Sequence, residues 1–417
     1  MKNRINEKKS KFLDREFGVF FHFGIRTFYE GHVDWDGLPM PLAGFNPTEL
    51  DCENWIATAY EAGAKYAILV CKHHDGFANW PSKYTDYSVQ NTPYKGGHGD
   101  VVKEFVDACR KYGLSVGLYY SPAQEGYKEM ADSAYDEYFI NQISELLTNY
   151  GKIDYLWFDG CGSENHQYDV KRIVGVIRSL QPEILLFNMW DPDTRWVGNE
   201  SGIAPIDCGY VTSRVPFSEK TTQDDELGEE IFLPYECDCC IRDNWFYSEK
   251  DNDTVKSVDE LVSLYCYSVG NGGNLLLNLS PDRRGLIPKK DRQIMCDFGQ
   301  KIKELFAVEE NAERMDSNGN ITLRFDKRTI VEYLVFREDL TTDDFVTEFD
   351  IYIQPHKCAE DGVKIYSGKA IGHKRIIRIH PIALNSLRIV CKSPKNQFKI
   401  NSVSVYKGDK TSPGGRT

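Results

Sequence analysis

The feature that most constrains this chain is a series of short, almost wholly apolar runs separated by segments of helix length. Residues 65–72 (Lys-Tyr-Ala-Ile-Leu-Val-Cys-Lys), 114–121, 153–158 (Ile-Asp-Tyr-Leu-Trp-Phe) and 274–279 (Asn-Leu-Leu-Leu-Asn-Leu) are the clearest. None alternates polar with apolar, so none is half-exposed. Continuous runs of this length belong to parallel strands covered on both faces. The run 17–24 opens the series and 184–188 continues it. Between them helices are read over 46–63, 100–112, 134–150, 169–180 and 257–269, with Asp100 capping the second and Gly113 closing it. Strand–helix alternation at this rhythm means right-handed crossovers and a parallel sheet. Two less distinct strands placed near 207–212 and 231–237 bring the count to eight, and the expected α/β architecture is a (β/α)8 barrel over residues 1–310.

From residue 311 the texture changes. Short strands at 321–325, 330–337, 349–353, 363–366, 375–379, 386–390 and 400–406 follow one another across turn residues with no helical run. This reads as a C-terminal β-sandwich over 311–407. The tail 408–417 (Gly-Asp-Lys-Thr-Ser-Pro-Gly-Gly-Arg-Thr) is expected to be disordered.

Charge narrows the partners. With 63 acidic against 50 basic residues the formal net charge is -13. Nucleic acid and anionic membranes are bound chiefly through Lys and Arg, so neither is an expected partner. Aromatic residues make up 13% of the chain, and their ring faces suit the apolar face of a sugar. No run of about 18 apolar residues is present, and no apolar segment of signal-peptide type precedes Phe17. With 12 cysteines scattered without a framework spacing, a reducing cytoplasm is expected, or secretion if a leader has been trimmed. Cys237, Cys239 and Cys240 lack a partnering pair and read as buried thiols.

On the barrel reading, polar residues at strand carboxyl ends converge on one mouth: His22, His73, His74, Tyr119 and Asp159. Two chemistries use such a set. Imidazoles and a carboxylate can hold a divalent metal, although adjacent His73 and His74 would point to opposite faces of a regular strand. Alternatively they hold a sugar while Asp159 attacks it, which requires a second carboxylate. Asp75, Glu200 and Glu236 are the candidates, and the residues alone do not rank them.

These passages resemble glycoside hydrolase family 29, the α-L-fucosidases. The resemblance is carried by Phe17-Gly18-Val19-Phe20-Phe21-His22-Phe23-Gly24, Lys72-His73-His74-Asp75-Gly76-Phe77, Lys83-Tyr84-Thr85-Asp86-Tyr87-Ser88-Val89 and Trp157-Phe158-Asp159-Gly160. Further passages, among them Arg195-Trp196-Val197-Gly198-Asn199-Glu200 and Glu236-Cys237-Asp238, are similar to the subfamily acting on branched α-1,3/1,4-linked fucosides. The resemblance implies a retaining exo-α-L-fucosidase with no cofactor and no metal, acting on a fucosylated oligosaccharide or glycoconjugate. Broader linkage specificity, or a sugar-binding barrel without turnover, are the alternatives. It implies Asp159 as nucleophile and Glu200 as acid/base. It implies His22, His73, His74 and Tyr119 on the sugar, and Arg195 and Glu236 organising the site. Asp34-Trp35 stands where a Glu-Trp pair is usual, Cys239-Cys240 where a Val-Ser-like pair is, and Met189-Trp190-Asp191 where a smaller stretch is.

Overall fold

The structure, a computed structural model, describes residues 4–123, 130–163, 166–217, 224–317, 319–355 and 362–408. The first element is one that the charged leader concealed: helix α1 (Glu7–Arg15), capped by Asn6, whose side chain accepts from Lys9 N at 2.9 Å. It buries Phe12 and Leu13 completely. Then β1 (Phe17–Phe21), α2 (Cys52–Glu61), β2 (Tyr66–Lys72), α3 (Val101–Tyr112), β3 (Ser115–Tyr120), α4 (Asp132–Asn149), β4 (Tyr155–Phe158), α5 (Val170–Leu180) and β5 (Leu185–Phe187) follow in the expected alternation. After them come β6 (Arg195–Trp196), β7 (Val211–Pro216), β8 (Asp224–Phe232), β9 (Tyr235–Cys240), α6 (Val258–Ser268), β10 (Asn274–Leu279) and α7 (Lys289–Leu305).

Eight parallel strands form one sheet in the order β5-β4-β3-β2-β1-β10-β9-β6. A parallel bridge from Phe187 to Thr194 joins the two outer strands and closes the barrel. Inward positions alternate along each strand, and the interior is aromatic: Phe20, Tyr66, Tyr119, Tyr155, Trp157, Phe187 and Trp196 pack together. Phe12 of α1 seals the lower end, its ring 5.5 Å from that of Tyr155 and 6.0 Å from that of Tyr66.

Three sequence expectations change. The sixth barrel strand is Arg195–Trp196, not the segment near 207–212, which instead leads into the β7–β8 hairpin outside the barrel. Two residues give no periodic signal. The strand expected over 231–237 divides at Leu233-Pro234, since proline cannot donate to a ladder; β8 ends before it and β9 begins after it. Helix α2 starts at Cys52 under an Asp51 cap rather than at Asn46, because the amides of Glu49 and Asp51 donate to the carbonyls of Arg284 and Gly285.

The C-terminal region is an antiparallel sandwich built on two long, bent strands. β11 (Glu313–Ser317), β12 (Asn320–Glu338), β13 (Glu348–Gln354), β14 (Val363–Gly368), β15 (Arg375–Lys392) and β16 (Ile400–Tyr406) form it. The pairs 321–325 with 330–337, and 375–379 with 386–390, are each one continuous strand. Register shifts between Arg324 and Thr329 and between Val331 and Tyr333 bend β12, so one half pairs with β11 and the other with β16. Of the tail, residues 409–417 lie outside the described residues.

Candidate active site

A cavity of about 200 Å³ opens at the carboxyl ends of the barrel strands. Asp159, one residue beyond β4, lies in its wall with Trp157, Tyr119, His22, His73 and His74. The Asp159 carboxylate is held on both oxygens. Oδ2 accepts from the Tyr119 hydroxyl at 2.8 Å and faces His74 Nε2 at 3.4 Å, while Oδ1 accepts from the Cys161 amide at 2.9 Å. Gly160 permits a close approach rather than a left-handed turn. A Cβ there would stand 2.8 Å from the carbonyl oxygen of Phe217, the residue that leads out of β7 and walls the cavity.

The two histidines after β2 face the same cavity, contrary to the strand argument. β2 ends at Lys72 and slips its register against β3 between Val70 and Lys72, so strict alternation is lost before His73. The His73 ring stacks on Tyr119, with centroids 5.6 Å apart and planes 8° from parallel. Burial, with His74 and His22 beside it, holds His73 neutral by pushing its pKa well down. His74 goes the other way. Burial alone would lower its pKa, but the Asp159 carboxylate outweighs that and lifts it to about 9. The same pairing overcomes the burial of Asp159 and holds its carboxyl below the ordinary range. The result is an imidazolium–carboxylate pair at the cavity wall, with His74 buried and Asp159 half-buried. His22 is fixed by Asn278 of β10, whose Oδ1 lies 2.8 Å from His22 Nδ1, and burial lowers its pKa to about 3.

Glu200 reaches the cavity from the loop after β6, exposed, its Oε2 accepting from Trp245 Nε1 at 3.2 Å. Asp34 and Trp35 arrive from the loop after β1. Asp34 accepts from the Trp245 amide at 2.8 Å and burial raises its pKa, whereas Trp35 is half-exposed. Two expected residues do not reach the cavity. Arg195 lies over the Tyr235 ring at 5.0 Å and donates to the carbonyls of Gly209 at 2.8 Å and Trp196 at 3.2 Å. Glu236 is wholly buried within the barrel, accepting from Tyr66 at 2.5 Å and from Trp157 Nε1 at 2.8 Å, with burial lifting its pKa to about 7. The third carboxylate weighed, Asp75, is also committed elsewhere: it accepts from Arg26 Nε at 3.0 Å and from the Phe77 amide at 2.7 Å.

Of the lining residues to which the sequence reading gave no role, four shape the site most. Asp238 stands two places after Glu236 on β9 and so also points inward, where it accepts from Trp196 Nε1 at 2.7 Å. Burial, with Glu200 nearby, pushes its pKa well up. Trp196 and Trp245 add aromatic walls. Asn188, in the left-handed region at φ 61°, ties β6 to the hairpin by accepting from Trp196 N at 3.0 Å and donating to Pro216 O at 2.6 Å. The signal that could have found Asp238 is the i, i+2 spacing from Glu236.

One ring nitrogen each of His73 and His74 and one oxygen of Asp159 lie within 4.8 Å of one another. Among the described residues every cysteine is a free thiol. No described helix is long and apolar enough to cross a membrane.

A parallel barrel with a half-buried, ion-paired carboxylate at the end of its fourth strand, a second carboxylate lining the same cavity and tryptophan walls defines a glycoside hydrolase. The chain belongs to the alpha-L-fucosidase family, whose model matches residues 40–304. It is 29% identical to alpha-L-fucosidase 1 of Arabidopsis thaliana, over 93% of this chain and 84% of that protein. It is 25% identical to the tissue alpha-L-fucosidase of Macaca fascicularis, over 67% of this chain and 64% of that protein. Among solved structures, a glycoside hydrolase 29 family member from an unknown rumen bacterium superposes with a TM-score of 0.89 at 30% identity, covering 99% of this chain and 79% of that one.

Proposed function

We propose that this glycoside hydrolase is a retaining exo-α-L-fucosidase that releases terminal α-1,3/1,4-linked fucose from branched, Lewis-type glycans. The observation that carries the retaining reading is Asp159, a carboxylate kept ionised by an adjacent imidazolium inside a cavity that Glu200 also lines. An ionised, desolvated carboxylate is the form that attacks an anomeric carbon.

In the first step Asp159 forms a bond to C1 of the fucosyl unit as Glu200 gives its proton to the departing glycosidic oxygen. In the second, Glu200 takes a proton from water, whose oxygen displaces Asp159 from C1. Tyr119 and the Cys161 amide hold the carboxylate in line for attack. Neutral His22 and His73 present hydrogen-bonding nitrogens suited to uncharged hydroxyls. Trp35 and Trp245 offer faces to the sugar, and the half-exposed Trp35 sits on the solvent side, where a leaving glycan would lie.

The test is NMR of the first-formed product. Release of α-L-fucose from an aryl α-L-fucoside supports double displacement, and release of the β-anomer overturns it. Asp159→Ala should lower kcat by at least about a thousandfold while circular dichroism is unchanged. Faster fucose release from Lewis-type trisaccharides than from the aryl fucoside supports the linkage reading, and the reverse order overturns it.

A further inference from the structure

The paired histidines serve more than a sugar. With Asp159 they place three metal-ligand atoms within 4.8 Å of one another. His74 carries the outer support of a metal-binding histidine. Its Nδ1 meets Ser121 Oγ at 2.6 Å, Ser121 donates onward to the Ala123 carbonyl at 2.7 Å, and Nε2 is thereby turned toward Asp159. His73 is 7% exposed, and its Nδ1 has no hydrogen-bond partner.

Two imidazoles and a carboxylate are the donor set of a borderline-soft divalent ion such as Zn²⁺, which keeps its fourth position for water. Mg²⁺ and Ca²⁺ take oxygen ligands instead and do not fit. We infer that the cavity is also a transition-metal site, at which Zn²⁺ bound by His73, His74 and Asp159 excludes the sugar and inhibits the enzyme competitively. The inhibition, though not the binding, rests on Asp159 being the nucleophile. On binding, three coordinate bonds form from the protein to the ion, water keeps the fourth position, the His74–Asp159 pair separates, and the His74 Nε2 proton leaves to solvent. Ligand bonds of about 2.0–2.3 Å require the donors to close in by roughly 1 Å, a movement within reach of side chains. An ion so placed ties up the carboxylate oxygen that would attack C1. It is therefore an inhibitor and not a cofactor.

The test uses the full chain dialysed against EDTA. Zn²⁺ alone is titrated in competition with a chromophoric chelator, with and without L-fucose, and hydrolysis of an aryl α-L-fucoside is followed in parallel. The expected result is one ion per chain, displaced by fucose, with KM raised, kcat unchanged and Mg²⁺ inert. His73→Ala removes one donor and leaves the Asp159 hydrogen bonds in place, and its Zn²⁺ dissociation constant, read by the chelator without turnover, should rise roughly tenfold or more. Zn²⁺ that fucose does not displace, or an unchanged constant in His73→Ala, overturns the site. So does loss of activity in EDTA with recovery on adding Zn²⁺, which would make the ion a cofactor. Failure of the fucosidase reading shows separately, as absent hydrolysis, because the chelator reports Zn²⁺ binding without turnover.

Discussion

Asp159 and His74 stabilise each other's charged forms, and the pair fixes how the site responds to pH. His74 is lifted from its ordinary value of 6.5 to about 9. A group whose pKa rises on folding contributes stability that is fully present below the unfolded value and is lost as pH rises through the folded one. The contribution, on the order of 3 kcal/mol, should therefore fade between about pH 6.5 and 9. Thermal unfolding of the wild type should lose this component over that window, and Asp159→Asn should not; equal slopes would show that the pair is not charged. Opposite Asp159, Glu200 is exposed at the cavity mouth and Glu236 is sealed beneath it. Glu200→Ala should lose about 10²- to 10⁴-fold in kcat and regain part of it with azide. Rescue confined to Glu236→Ala would reverse the assignment.

At the scale of elements, short segments decide what long ones leave open. β6 contributes two residues, yet it places Trp196 in the wall and carries the loop that brings Glu200. β9 turns Glu236 and Asp238 inward and Cys237 and Cys239 outward, so thiols grouped in sequence are separated into packing layers. Helix α1 acts through one ring. Phe12, fully buried, closes the end of the barrel opposite the site. Phe12→Ala should cost about 3–5 kcal/mol, measured by chemical denaturation, with KM unchanged well below the melting temperature. A cost below about 1 kcal/mol would mean that the plug is dispensable.

Across the whole molecule, the sandwich is bound into the barrel rather than tethered to it. Tyr333, Val335 and Ile376 of the sandwich belong to the same apolar cluster as the barrel helices. Beside them Glu16, at the end of α1, accepts from Arg337 at 2.6 Å, Tyr265 at 2.7 Å and Lys374 at 2.8 Å. Burial would raise the Glu16 pKa, but Lys374 and Arg337 outweigh it and bring it to about 2. The stability this supplies is present above the unfolded value of 4.5 and is lost as pH falls through about 2. Glu16→Ala leaves Lys374 buried without its carboxylate. It should destabilise the protein by about 3–5 kcal/mol at pH 7, less when combined with Lys374→Ala, and unfolding should stay a single transition. Separate transitions for barrel and sandwich would show that the two are not one cooperative unit.

Much of this was legible in the chain. Strands buried on both faces are continuous apolar runs, and such runs separated by helices fold one way, so the barrel and the position of Asp159 followed from local pattern. The sandwich was legible as a change from helical to strand period in the C-terminal part of the chain. Long-range decisions were not. That Arg195 and Glu236 stand clear of the cavity, that His73 and His74 share it, and that Asp238 joins it depend on a register slip, an inward phase and a barrel closure. Each is set by which strands pair and by how much. Sequence determined which residues sit near strand ends, because hydrophobic periodicity is local. Tertiary structure alone decided which of them face one another, because the direction of a side chain reverses with a shift of one residue in register.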